Sequence, residues 1–143
     1  MPAFFFETDA AEACPIAFGG DAAVLVYFLS LAFSTRYGAQ HDLSRLALLL
    51  RGEHKVDIGP LTTFADRNVE EEADARELAR VWQDAGPLAE TLRRVIDVLE
   101  SGDERVDALI AGTPDLAPRL RDLLRMTEWA EERGARVRMT FEL

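Results

Sequence analysis

The chain has 143 residues, 48% of them hydrophobic and 29% charged, with a formal net charge of −10. This size and balance describe one folded domain spanning 1–143 and argue against disorder or a repeat array. The acidity argues against nucleic acid or an anionic membrane surface as a partner, since both are bound through clustered Lys and Arg.

Residues 3–7, AFFFE, suit a short strand with Phe4 and Phe6 on one face and Phe5 on the other. Pro15 and the pair Gly19-Gly20 make 8–21 a connection, with Asp21 as the N-cap of the next helix. That helix opens on AAVLVYFLSLAF (22–33), twelve residues with one serine and no charge. An uncharged run of this length is shorter than the roughly 18 to 20 residues of a membrane span, so it reads as a buried central helix over about 22–37, stopped by Gly38. Asp42 then caps a second helix in which Leu43, Leu46, Ala47 and Leu50 recur at helical spacing and Gly52 closes. The short link folds the two into a hairpin.

The alternation in His54 to Ile58 predicts a short strand. Asn68 and Glu71 have capping-box spacing, and Glu70, Glu71 and Glu72 sit where the helix dipole favours acids. As successive helical residues point about 100° apart, these three glutamates read as a solvated helix start and not as metal ligands. Leu78, Trp82, Ala85, Leu88 and Leu92 keep helical phase through Gly86-Pro87. Two helices, 69–85 and 87–100, are expected, with Pro87 opening the second. Ser101 and Glu104 predict a short helix ending at Gly112. Thr113-Pro114-Asp115 starts a last helix with an apolar stripe of Leu116, Leu120, Leu123, Leu124, Thr127 and Ala130. Finally, Val137, Met139, Phe141 and Leu143 alternate with polar residues as in a strand.

The expected fold is therefore α+β, mainly α: a helical domain around a buried apolar helix, with a small sheet made by the N- and C-terminal strands, which pair to satisfy their backbone groups. Such a sheet has edges, and edges invite a second subunit. A homo-oligomer or a protein partner is expected on that ground. Cys14 is the only cysteine and cannot form an internal disulfide. The N-terminal MPAFFFE lacks the basic region and long apolar core of a signal peptide, so a cytoplasmic location is expected.

No P-loop, GxGxxG, GxSxG, HExxH or paired CxxC occurs, and no cofactor is expected. His41 and His54 flank one helix, on the order of 20 Å apart at 1.5 Å per residue, so they cannot share an ion and no metal site is expected. If the hairpin returns His54 toward the start of the central helix, then Cys14, Asp21 and His54 form a candidate catalytic or ligand-binding group, with Gly19-Gly20 supplying backbone N–H donors. Arg36, Tyr37 and His41, at the far end of that helix, are candidate ligand-binding residues. The reading that follows is a non-enzymatic protein acting by association. The alternative is a small-ligand binder or enzyme using the Cys14, Asp21 and His54 region.

Overall fold

The computed structural model describes residues 2–32 and 41–143. It is α+β and mainly helical, as expected, with six α-helices and a four-stranded sheet among those residues. Strand β4 (Arg136–Glu142) is the middle of the sheet. Strand β1 (Ala3–Thr8) lies antiparallel along one side of it, Ala3 opposite Glu142 and Thr8 opposite Val137. Two three-residue strands share the other side end to end. Strand β2 (Phe64–Asp66) runs parallel to it, with Phe64 opposite Met139, and β3 (Trp82–Asp84) runs antiparallel, with Trp82 opposite Arg138. The chain ends thus pair as the alternation in 135–143 demands, with Val137 and Met139 buried on the inner face.

Helix α1 (Ala23–Ala32) buries Leu25, Val26, Phe28 and Leu29, while Tyr27 and Ser30 meet solvent. The expected continuation to 37, and the stop at Gly38, lie outside the described residues. Helix α2 (Asp42–Gly52) folds against α1 and buries the stripe Leu43, Leu46, Ala47 and Leu50. Helices α4 (Ala85–Leu99) and α6 (Leu116–Glu132) form the most extensive helix pair, and both give buried leucines to the core, among them Leu88, Leu92, Leu120 and Leu123. Helix α5 (Glu104–Ile110) packs on α2 through a buried Val106.

Several boundaries differ from the sequence reading. Residues 54–58 are not a strand: Lys55 adopts a left-handed φ of 54°, which interrupts the extended chain. Val56 and Ile58 still turn inward, and Thr91 of α4 donates its hydroxyl to the Asp57 carbonyl (2.7 Å). The predicted helix 69–85 is a shorter α3 (Glu72–Arg80) followed by β3. Trp82 keeps helical spacing with Leu78 and Ala85, but Val81 and Trp82 also favour a strand, and pairing with β4 decides the outcome. Trp82 is half-buried on the sheet, with the Arg138 guanidinium 4.6 Å from its ring centre, and is not a core residue. The second helix begins at Ala85, so the break precedes Gly86-Pro87 and Pro87 stands in the first turn. Caps move by a few residues as well. Asp74 accepts from the Glu70 and Glu71 N–H groups in place of an Asn68–Glu71 box, His41 in place of Asp42 caps α2, and Asp103 in place of Ser101 caps α5. Ser101 instead donates to the Val98 carbonyl at the end of α4.

Candidate functional site

The connection from Asp9 to Ala22 is held to α6 by one buried carboxylate. Asp122 accepts the Gly19 N–H (2.9 Å) through Oδ2, and Arg119 Nε lies 3.2 Å from the same oxygen. That contact is an ion pair off the line a hydrogen bond needs, since Arg119 Nε makes none. Arg125 bonds the other oxygen. A Cβ at Gly20 would overlap the tip of the Arg119 side chain and make it shift, whereas one at Gly19 would meet only ordinary contact. The Gly19 N–H, read from sequence as a free donor for a reactive site, is therefore already spent on Asp122.

Cys14 is half-buried against the core, its Sγ facing the Ile16 carbonyl at 3.7 Å. Asp21 is the cap expected of it, accepting from the Ala23 N–H at 2.9 Å. His54 gathers different neighbours. Its Nε2 lies 3.8 Å from Asp103 Oδ2 at the start of α5, and Glu53, His54 and Asp103 place ligand atoms within 4.8 Å of one another. Cys14 and Asp21 do not belong to that group, so the three sequence candidates are not assembled there. Arg36 and Tyr37 lie outside the described residues. His41 is exposed and accepts the Leu43 N–H through Nδ1 (3.1 Å), which makes it a helix cap.

The Glu53, His54 and Asp103 group is a cation-binding donor set in type, but Arg105 already fills that part. Its NH1 donates to Glu53 Oε1 (2.7 Å) and its NH2 to Asp103 Oδ2 (3.0 Å). This guanidinium holds both carboxyls below their ordinary range, and the carboxylates in turn raise the arginine. The arrangement is an ionic clasp between the end of α2 and the start of α5.

Sequence reasoning did not anticipate a second acidic feature. Ala65, Asp66, Asn68, Glu70, Asp74 and Glu77 line an open cleft of about 300 Å³ between β2 and α3. Asp74 is held below the ordinary carboxylate range by the Glu70 and Glu71 N–H groups. The density of acids over 66–77 was the signal in the sequence, but the cleft exists only because β2 folds back onto the sheet.

β1 pairs with β4 on one side, and among the described residues no backbone hydrogen bond reaches its other side. Alternate residues of an antiparallel edge strand direct their N–H and C=O groups outward, so about half of this six-residue strand is available for pairing. Phe4 is buried on the inner face, its ring edge-on to Phe18 at 5.8 Å. Phe5 lies on the outer face under the Arg67 guanidinium at 3.8 Å. Glu7 is neutralised within the chain, accepting from Arg138 NH2 (2.6 Å) and from the Thr140 hydroxyl (3.3 Å).

Comparison of the chain with protein-family models, curated proteins and solved structures gives no significant match in any of the three. Among the described residues no helix is long and apolar enough to cross a membrane.

Proposed function

We propose that this is a non-enzymatic cytoplasmic protein that works by association, with itself or with a protein partner, through the free edge of β1. The observation that carries the reading is that edge: six residues, three of them phenylalanine, with one strand neighbour among the described residues. Natural sheets protect such edges with lysines, prolines or bulges. Here the one ionisable side chain of the strand is consumed by Arg138. The cytoplasmic assignment is supported by the single cysteine, which leaves no internal disulfide to form. Of the polar groups that an enzymatic reading would recruit, Asp21 and His41 cap helices and the Gly19 N–H holds Asp122, whereas His54 Nε2 makes no hydrogen bond among the described residues.

Hydrogen exchange of the β1 amides tests the proposal. In the protein as isolated, the outward amides of β1 are expected to exchange slowly and to become fast on dilution below the dissociation constant. Outward amides that exchange fast at every concentration count against association through this edge.

A further inference from the structure

We infer that Glu53, His54 and Asp103 form a site for one divalent metal ion of the zinc class, the ion taking the place that the Arg105 guanidinium holds. The site lies between the end of α2 and the start of α5, and it stands independently of the β1 edge. An orphaned nitrogen carries the inference. His54 Nε2 is shielded from water and makes no hydrogen bond among the described residues, although Asp103 Oδ2 lies 3.8 Å away. Glu53, His54 and Asp103 each place one ligand atom within 4.8 Å of the others.

Arg105 satisfies this set incompletely, for a geometric reason. Its NH2 nitrogen carries two protons, one donated to Glu53 Oε2 and the other to Asp103 Oδ2, so none is left for the imidazole. It also brings one positive charge to two carboxylates that are both held in their ionised form. A divalent ion makes good both shortfalls: it balances the two carboxylates and accepts the Nε2 lone pair, the imidazole proton residing on Nδ1. Imidazole with carboxylate oxygen is a donor set that suits zinc, and the exposed side of Glu53 leaves a fourth position for water. The donors are already positioned. Glu53 and His54 both donate their backbone N–H to the Leu49 carbonyl (3.0 and 3.1 Å), which fixes them on the last turn of α2. Asp103 Oδ1 accepts the Arg105 N–H at 2.9 Å, and this cap leaves Oδ2 on the side of His54. Tetrahedral zinc ligands at about 2.0–2.2 Å stand about 3.3–3.6 Å from one another. The set closes to that spacing by a small movement of the half-exposed Glu53, and Arg105, with 58% of its side chain exposed, swings into water at little cost.

Calorimetric titration of Zn2+ into chelator-treated protein at neutral pH tests the site, in a Cys14→Ser background that removes the one thiol. One ion per chain is expected. His54→Gln and, independently, Glu53→Gln are each expected to weaken binding by at least about tenfold. Arg105→Met is expected to tighten it by about tenfold, because the competing cation is gone. Co2+ in place of Zn2+ adds a readout besides affinity: the visible absorption of four-coordinate cobalt, lost in His54→Gln. Absence of binding to the chain that keeps Arg105 overturns the inference, whether or not Arg105→Met binds. Binding that His54→Gln leaves unchanged overturns it too, since the ion would then lie elsewhere on the acidic surface. Weaker binding by Arg105→Met overturns the exchange of ion for guanidinium on which the site depends.

Discussion

Replacing Asp122 with alanine removes the anchor between the 9–22 connection and α6, and the structure sets the size of the loss. The carboxylate is nearly fully buried, with 6% of its side chain exposed, and its three partners are not equivalent. Arg125 has a side chain 57% exposed, so its head returns to water at little cost. Arg119 is 14% exposed and remains where it is without a counter-ion. Removing one member of a buried pair costs about 3–5 kcal/mol, and the residual exposure of Arg119 points to the lower end of that range. The orphaned Gly19 N–H adds about 1 kcal/mol. A loss of about 4 kcal/mol lowers the melting temperature by roughly 10 °C in a chain of this length. The assay is urea unfolding of Asp122→Ala, Arg119→Met and the double variant. If Arg119 is the stranded charge, the double variant is less destabilised than the sum of the singles by more than about 1 kcal/mol. Additivity within about 0.5 kcal/mol would refute the argument.

Two further outcomes follow from the packing and the charges. Phe28 is wholly buried in α1, so Phe28→Ala should cost about 3–5 kcal/mol, read as a lower urea midpoint; a cost below about 1 kcal/mol would mean that α1 is not part of the core. For the clasp, Glu53 and Asp103 have their folded-state affinities for protons depressed by Arg105. Their contribution is fully present above the ordinary carboxylate values of about 4 and is lost as pH falls through the lower folded values. The urea midpoint of the wild type should therefore fall more steeply than that of Arg105→Met between pH 5 and 2, and parallel curves would show that the clasp is not coupled to folding.

The two ends of the chain were legible in the sequence, residues 3–7 through a run of aromatic residues that suits a strand and Arg136 to Leu143 through alternation without interruption. The helices were legible too, through the apolar stripes of α2 and α6, although the caps that start them fall on other residues than expected, His41 for α2 and Asp115 for α6. What escaped was decided by contacts between residues distant in sequence. Trp82 fits a helix by spacing and becomes a strand because β4 offers it a partner. Val56 and Ile58 alternate as a strand would, yet Lys55 turns the chain and α4 supplies the hydrogen bond. Of the proposed site, His54 was placed correctly at the end of its helix, but its neighbours come from α5, whose packing on α2 no local pattern reports. Gly19 and Asp122 are 103 residues apart, and nothing local to either predicts that they meet.

Native mass spectrometry of the untagged chain, purified without denaturant and sprayed at micromolar concentration, tests the central claim most directly because it reads subunit number and retained molecules together. The account predicts species heavier than one chain, either a second copy or a bound protein. A bare monomer would contradict it, and a monomer carrying a small molecule would contradict it in favour of a ligand-binding function.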